Sequence, residues 1–527
     1  MSAVAPGRST RAGSGFILLP VVLALSLIAS IAFLANRDSG ANVAMVASGS
    51  DSDQARYAAE AGLEHANFVV QQKSCGGPYP QSTTPVVNDV FAGASYTAYA
   101  DRASGNSVQI TSTGSYNGAS VTLRRPNVIV YQSTLQTFTV QPDTVDGKDT
   151  YLSSSSPSTN YGGDTVLRLQ QGSYQALIQF DTSVLPAGSR PLAWYDSTKA
   201  SLMPGAKLSL YQTQNVNGAT VASAYLVTTG WTEGKGPTGG SGGATWNASD
   251  GSAAWPGQSY HPLPVASAPT SDPAGWKEWD VTDVTAAWLF GEVPNNGLWL
   301  IATGAKKDAQ YVSSEEAVDL TLRPKVSLTY LLPCGSKAPQ QTELAPTRDT
   351  EIDNSNPDTP KGTAVLMSVS PSRGRQVLLA FDSNAIPSGS TVASARLRLY
   401  LDTGIPVKTS AALNLVMNAV VTQSWAENAT WNDPATPIGF LNSILWQLLG
   451  SIYRLTPTGT ATLAQGVKDG RWVEFDARAL VQEWVDGVTV NQGVVVRSTT
   501  SASDELKFSS REALDPTRRP RLVVTYR

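Results

Sequence analysis

The feature that most constrains the fold is an internal repeat in the second half of the chain. Residues Trp279–Tyr330 align with Phe475–Tyr526 at a constant offset of 196 positions, without a gap, and about 16 of the 52 aligned pairs are identical. The segments upstream match more loosely, for example Asp149 with Asp349. Each copy is about 190 residues long, which predicts two complete domains of the same fold.

Short segments of alternating apolar and polar residues predict strands in both copies. Leu208–Tyr211 and Val326–Tyr330 show this alternation in the first copy, and Arg396–Leu401 and Leu522–Tyr526 show it in the second. Turn residues interrupt such segments about every ten positions, as in all-β domains. We therefore predict a mainly β protein with two tandem jelly-roll-like β-sandwiches, which follow an N-terminal long helix and a small antiparallel sheet.

The predicted domain boundaries follow from the repeat and from the Pro- and Gly-containing segments between its copies. They are a leader at 1–15, a long helix at 16–72, a small β region at 73–132, a first sandwich at 133–332, a linker at 333–347 and a second sandwich at 348–527.

The composition excludes several classes of protein. The net charge is −4, only 15% of residues are charged, and no long basic run occurs, so phosphate contacts to nucleic acid are not expected. Two histidines are too few for a His-rich zinc site and leave little for a Ser-His-Asp triad. Carboxylates that recur in both copies favour structural roles over one active site, so we expect no enzyme activity, with a polysaccharide-active enzyme as the weakest alternative.

The amino terminus contains a long apolar segment. Phe16–Ala35 is apolar apart from two serines and follows Arg8 and Arg11. Twenty helical residues span about 30 Å, the hydrocarbon thickness of a bilayer. The positive-inside rule then places everything after Arg37 outside the cytoplasm, at the cell surface or in a pilus. A secretory signal peptide or a plain anchor stays open as the alternative.

This segment resembles the amino end of type IV pilins, in particular PilX-like minor pilins. The resemblance rests on Gly15 followed by Phe16, and on the helix-forming run at 56–64. It implies that a prepilin peptidase would cut between Gly15 and Phe16, and that the partners would be other pilins or pilus assembly proteins. Pro20 stands where major pilins usually have glutamate, so a filament cap or initiator fits better than a bulk subunit.

Both repeat copies resemble DNRLRE domains, which are extracellular β-sandwich modules. The motifs that carry the resemblance are Phe180-Asp181, Trp279-Asp280-Val281-Thr282, Arg323-Pro324, Ser509-Ser510-Arg511-Glu512 and Arg519-Pro520. The resemblance implies adhesion or polysaccharide binding, since some members of that family bind acidic polysaccharides such as alginate. The second copy has Glu351 and Lys361 where the first has Tyr151 and Tyr161.

Candidate ligand-binding residues are basic or aromatic. Arg497, Lys507 and Arg511 are spaced so that they could share one sheet face, and guanidinium groups suit carboxylated sugars. Trp276 and Trp472 lie outside the tryptophan pairs that recur in both copies, so they are candidate stacking platforms. The alternatives are solvated surface charge for the cations and contacts between the modules for the tryptophans.

Acidic residues at the start of the second copy suggest a calcium site. Asp349, Asp353, Asn354 and Asp358 lie within ten residues, and hard oxygen ligands on a loop suit Ca²⁺. Asx-rich turns without any metal explain the same residues. No other cofactor is predicted.

The two cysteines, Cys75 and Cys334, are expected to form a disulfide outside the cytoplasm. Taken together, the sequence predicts a membrane-inserted, minor-pilin-like surface protein that presents two β-sandwich modules for adhesion or polysaccharide binding. An anchored glycan-binding or stalk protein with no filament role is the alternative.

Overall fold

The computed structural model describes most of the chain in two compact units, Met1–Ser133 and Thr134–Arg527. The described residues are 18–76, 84–91, 93–104, 106–216, 218, 220–236, 242–257, 259–270, 273–304, 307–402, 412–421, 424–435, 453–464, 467–500 and 505–527. The side chains of 18–20, 38–44, 91, 103 and 104 are not described. The predicted processing junction, Gly15 and Phe16, lies outside these residues.

The first unit is one long helix with an antiparallel sheet. The helix α1 (Leu18–Lys73) has 56 residues and contains no proline after its first turn. The sheet has the order β1-β2-β3-β4. Its strands are β1 (Val87–Phe91), β2 (Ala94–Ser104), β3 (Ser107–Tyr116) and β4 (Ala119–Ile129).

Small residues let the second half of α1 pack closely on this sheet. The helix buries Ala55, Ala59 and Ala66, and the buried positions of β3 alternate along the strand. At Gly114 in β3, an added Cβ would lie 2.1 Å from the Ala55 carbonyl oxygen. Because backbone atoms cannot move aside as a flexible side chain can, glycine is required at this contact.

The first half of α1 exposes its apolar side chains. Val21, Leu25, Ile28 and Phe33 are all exposed. Within the described residues, the structure contains no helix that is both long and apolar enough to cross a membrane.

The first module of the second unit is a sandwich of a seven-stranded and a five-stranded antiparallel sheet. The seven-stranded sheet contains β5 (Gln136–Val140), β7 (Val166–Leu169), β9 (Arg190–Pro191), β12 (Ala206–Gln212), β15 (Gly275–Asp280), β17 (Ala309–Val312) and β18 (Lys325–Leu331). The five-stranded sheet contains β6 (Lys148–Ser153), β8 (Tyr174–Gln179), β13 (Thr220–Leu226), β14 (Ala266–Pro269) and β16 (Leu298–Gly304). A separate hairpin pairs β10 (Trp194–Asp196) with β11 (Ser201–Met203), and α2 (Thr282–Phe290) follows β15.

The second module repeats this architecture with a six-stranded and a five-stranded sheet. The six-stranded sheet contains β19 (Gln340–Leu344), β21 (Leu366–Val369), β23 (Val392–Leu401), β26 (Arg471–Asp476), β28 (Leu506–Ser509) and β29 (Arg521–Tyr526). The five-stranded sheet contains β20 (Pro346–Asp353), β22 (Arg375–Phe381), β24 (Leu413–Ala419), β25 (Gly459–Leu463) and β27 (Val494–Ser498). The helix α3 (Arg478–Val485) occupies the position of α2.

Each module has its main core between its two sheets. In the first module Leu208 and Leu210 of β12 meet Leu298 and Leu300 of β16, and all four are buried. The prediction of a mainly β protein with two sandwiches after a long helix is confirmed. The predicted linker at 333–347 is only partly a linker, because Gln340–Leu344 pairs with β29 as an edge strand.

Buried ion pairs join the two modules. The Arg323 guanidinium of the first module binds both carboxylate oxygens of Glu474 in the second, at 3.2 and 2.7 Å, and both side chains are 1% exposed. In the reverse direction, Arg396 of the second module pairs with Asp143 of the first at 2.9 Å. Burial of a charge is costly unless an opposite charge pairs with it. Because each of these charges has its partner in the other module, the ion pairs fix how the two modules pack together.

Candidate functional site

An aromatic cluster lies on the outer face of the five-stranded sheet in the first module. It consists of Tyr225, Trp255, Tyr260 and Trp299 and is called the aromatic cluster below. Strand alternation places it there, because Leu298 and Leu300 point into the core and the residue between them points outward. Tyr225 is the direct cross-strand neighbour of Trp299.

The four rings form a continuous row. The ring centroids of Trp255 and Trp299 are 4.9 Å apart, those of Tyr260 and Trp299 are 5.1 Å apart, and those of Tyr225 and Tyr260 are 5.2 Å apart. Trp299 is buried, whereas the other three rings are half-buried and contribute to the surface.

Hydrogen bonds fix the orientation of both indole rings. The Trp299 Nε1–H donates to Gln175 Oε1 at 2.7 Å, and the Trp255 Nε1–H donates to the Thr245 carbonyl at 2.9 Å. A row of rings with fixed orientation loses little conformational entropy when a ligand packs against it.

The second module lacks this row at the equivalent place. The strand register puts Asn418 and Val495 where the first module has Tyr225 and Trp299. Tyr453 matches Tyr260, and the Arg497 guanidinium lies 5.0 Å from the Tyr453 ring centroid. The two modules therefore present different outer faces, one aromatic and one with a cation above a single ring.

The predicted basic ligand face is not assembled by the structure. Arg497 lies in β27 of the five-stranded sheet, whereas Lys507 lies in β28 of the six-stranded sheet. The expectation that these cations share one sheet face is therefore wrong, because β27 and β28, although adjacent in sequence, belong to opposite sheets of the sandwich.

Arg511 is held by the protein itself. Its guanidinium pairs with Glu427 at 3.2 Å and with Glu512 at 3.3 Å, and it also donates to the Thr347 carbonyl. Its backbone N–H donates to Asp349 Oδ2 at 2.8 Å. These contacts assign the arginine to a carboxylate cluster of the second module.

Trp276 and Trp472 occupy the same position of the repeat, so the view that each lacked a counterpart was wrong. Both are on the outer face of the larger sheet, and each makes an edge contact with a tyrosine. A cation lies over each indole ring, Lys325 at 3.9 Å from Trp276 and Arg521 at 4.4 Å from Trp472. Trp472 is buried near the contact between the modules, whereas Trp276 is half-buried.

Three carboxylates come together in the first module. Asp149 lies in β6, Glu233 follows Trp231 in a loop, and Glu315 follows β17, and one oxygen of each lies within 4.8 Å of the others. We call these three residues the module 1 carboxylate cluster. Burial raises the pKa of each carboxyl group, and repulsion by Asp149 raises the pKa of Glu233 and of Glu315 further.

Backbone and hydroxyl groups position this cluster. The Ser314 N–H donates to Asp149 Oδ2 at 2.9 Å, and the Asp149 N–H donates to Glu233 Oε1 at 2.7 Å. The Ser314 hydroxyl donates to Glu315 Oε2 at 3.2 Å. The second oxygen of Asp149, Oδ1, is buried without any hydrogen-bond partner.

The second module has the equivalent trio of Asp349, Glu427 and Glu512. Here burial also raises the pKa of Asp349 and of Glu427. The difference between the modules is the guanidinium of Arg511, which pairs with two of the three carboxylates.

The structure shifts the repeat alignment by one residue at this cluster. The Ser313 N–H donates to Thr165 O and the Ser510 N–H donates to Val365 O, each at 3.1 Å. The structural offset here is therefore 197, so Glu512 matches Glu315, and Arg511 matches Ser314. The gapless sequence alignment paired these residues wrongly and hid the recurrence of the cluster.

The four predicted calcium ligands do not form one group in the structure. Only Asp349 belongs to a group of three carboxylates close enough to hold a metal among the described residues. Asp353 is paired with Lys361 at 3.3 Å and with Arg375 at 3.0 Å, and Asp358 accepts a hydrogen bond from Asn432. Asn354 lies in the turn that follows β20.

Both cysteines are disulfide-bonded in the structure. Cys75 lies just after the end of α1, and Cys334 lies just after β18 in the connection between the modules.

A comparison with known families agrees with this architecture. The model of carbohydrate-binding module family 96 matches residues 141–329 and 340–454, which together make up more than half of the chain. No curated protein matches the chain.

Proposed function

The chain belongs to carbohydrate-binding module family 96, and from this membership we propose that it is a non-catalytic surface protein that binds a polysaccharide through the aromatic cluster of its first module. The observation that carries the proposal is the continuous row of Tyr225, Tyr260, Trp299 and Trp255, with centroid spacings of 4.9 to 5.2 Å. Aromatic rings offer flat apolar faces with polar edges, which suit the C–H faces and hydroxyl groups of a sugar ring.

The recurrence of residues between modules supports this choice. Trp231 and Trp425 recur in both modules, each buried and each with a cation above its ring, as expected of core residues. Tyr225 and Trp299 are replaced by Asn418 and Val495 in the second module. Because the second module keeps the same five-stranded sheet without these rings, the sheet architecture does not require them. Trp299 also packs against Trp231 in one buried cluster, so the ligand-binding role falls mainly to the half-buried rings around it.

Binding assays on the full chain test the proposal. Isothermal titration calorimetry with soluble neutral and acidic polysaccharides should give binding to at least one of them. Trp255→Ala and Tyr260→Ala should each weaken it about tenfold or more, the loss of roughly 1.4 kcal/mol expected of a central aromatic contact. The matched control is Trp276→Ala, another half-buried indole on the other sheet, which should leave the affinity unchanged.

Salt dependence separates the aromatic cluster from the predicted cations. Contacts through Arg497 or Lys507 would weaken strongly with added salt, because exposed charges are screened beyond about 8 Å at physiological ionic strength. Stacking on the aromatic cluster should change little between low and physiological salt. Loss of binding in Trp276→Ala alone, or in the Arg497→Ala variant alone, would place the site elsewhere.

We also propose that the first unit anchors the protein at the cell surface as a minor-pilin-like unit. Support comes from α1, whose second half packs on a four-stranded sheet while apolar side chains between 21 and 34 are exposed. Such a surface suits contacts with lipid or with neighbouring apolar helices, including other pilins.

Mass spectrometry of the mature protein tests the anchor proposal. An amino terminus at Phe16, with the protein in the membrane or pilus fraction, is the expected result. A terminus at Met1 together with a soluble protein would contradict it. A membrane-bound protein that keeps Met1 would favour the plain anchor without a filament.

A further inference from the structure

The module 1 carboxylate cluster places three acidic groups together without a direct ion pair to a cation of the protein among the described residues. Among the residues that the structure describes, no lysine, arginine or histidine forms an ion pair with Asp149, Glu233 or Glu315. The Lys148 ammonium lies 4.6 Å above the Trp231 ring and attracts the Glu233 carboxylate from a distance longer than that of an ion pair. Buried carboxylates are normally paired or bound to a metal, because burial of an uncompensated charge is costly.

An unpartnered oxygen lies within this cluster. Asp149 is 1% exposed, and its Oδ1 accepts no hydrogen bond, although its Oδ2 is held by the Ser314 N–H. A buried carboxylate oxygen without a donor is rare in proteins, and a bound cation is one of the few partners that it can have. The equivalent oxygen of the second module, Asp349 Oδ1, is also buried without a partner, because the Arg511 guanidinium pairs with Glu427 and Glu512.

In the second module, the equivalent carboxylate cluster is paired with an arginine of the protein. At the position of Ser314 it has Arg511, whose guanidinium lies 3.2 Å from Glu427 and 3.3 Å from Glu512. Each cluster consists of one aspartate and two glutamates, and the two clusters differ in the side chain at this position. The first module therefore has the three carboxyl groups of the second without a guanidinium paired to them.

We propose that the first module binds one calcium ion between Asp149, Glu233 and Glu315, where the second module has the guanidinium of Arg511. The candidate ligand oxygens lie within 4.8 Å of one another. Calcium–oxygen distances are about 2.3–2.6 Å, so two ligands of one ion can lie up to about 5 Å apart, and the spacing fits. Hard carboxylate oxygens are the ligands that calcium prefers.

The proposed ion would join three separate segments of the module. Asp149 belongs to β6, Glu233 belongs to the loop that leads towards Trp255, and Glu315 follows β17. This inference does not rest on polysaccharide binding, because it concerns the cluster alone. Calcium titrations without any polysaccharide can therefore fail or succeed independently of the proposed function.

Isothermal titration of the full chain with CaCl₂, after removal of metals with EDTA, tests the proposal. We expect one ion per chain with a Kd of about 1 mM or tighter, as in extracellular calcium modules. Ser314→Arg copies the second module and should abolish this binding, and Glu315→Gln should weaken it about tenfold or more. Arg511→Ser makes the second cluster resemble the first and should raise the stoichiometry to two.

Circular dichroism and thermal unfolding without calcium show whether each variant folds. A folded Ser314→Arg chain that still binds one ion, or a native chain that binds none at millimolar calcium, would overturn the proposal. Binding that is unchanged in Glu315→Gln would also overturn it. A parallel titration with MgCl₂ should give weaker binding, and tighter binding of magnesium than of calcium would contradict the assignment of the ion.

Discussion

Replacement of Glu474 should destabilise the contact between the two modules more than any other single change on that contact. Its carboxylate binds the Arg323 guanidinium through two hydrogen bonds, of 3.2 and 2.7 Å, and binds Arg398 Nε at 2.8 Å. Thr144 donates to the same carboxylate at 3.3 Å. Glu474→Ala would leave two guanidinium groups without this partner.

The expected cost follows from the burial of the pair. Removal of one partner from a buried ion pair typically costs about 3–5 kcal/mol, because the remaining charge stays in a poorly solvated place. Arg323 is 1% exposed and cannot reach water without opening the contact, whereas the side chain of Arg398 is 20% exposed and can turn outward. We therefore expect a loss of about 4 kcal/mol in the free energy of unfolding.

Urea denaturation of the full chain, followed by tryptophan fluorescence, measures this loss. The control is Glu343→Ala, which removes the exposed partner of Arg521 and should cost less than about 1 kcal/mol. The double variant Arg323→Met with Glu474→Met should recover most of the stability, because an apolar pair of similar volume often replaces a buried ion pair without loss. A cost below about 1 kcal/mol for Glu474→Ala, or a double variant as unstable as the summed single variants, would refute this reasoning.

Three further predictions concern other parts of the chain. Gly114→Ala should destabilise the first unit by about 1–3 kcal/mol in thermal unfolding, because the new methyl group meets the Ala55 carbonyl oxygen at 2.1 Å; an unchanged unfolding temperature would contradict this. Burial alone would raise the pKa of Asp353, but hydrogen bonds and neighbouring cations outweigh it and lower the pKa to about 2. The stability that the ionised Asp353 contributes is therefore full above about pH 4 and is lost as the pH falls towards 2. Asp353→Asn should make the free energy of unfolding depend less on pH in that range. An acid unfolding curve identical to that of the native chain would argue against this. Non-reducing peptide mapping should give one linked pair that contains Cys75 and Cys334, whereas two free thiols in the unreduced chain would exclude the link.

The sequence by itself determined the local structure and the number of modules. Alternation with period two predicted strands such as Val326–Tyr330, and the structure contains β18 (Lys325–Leu331) there. The repeat predicted two equivalent sandwiches, and both are present. These predictions succeed because periodicity and repetition depend on residues close in sequence, which follow the geometry of a single strand or helix.

Only the tertiary structure decided which side chains meet. Asp149, Glu233 and Glu315 are separated by more than 80 residues from one another, and strand pairing and loops bring their oxygens within 4.8 Å. In the same way, Arg497 and Lys507 are ten residues apart in sequence but belong to opposite sheets. The physical reason is that the hydrophobic pattern predicts only which side of a strand is buried. The order of strands within the two sheets decides which side chains become neighbours, and that order arises from contacts between residues distant in sequence.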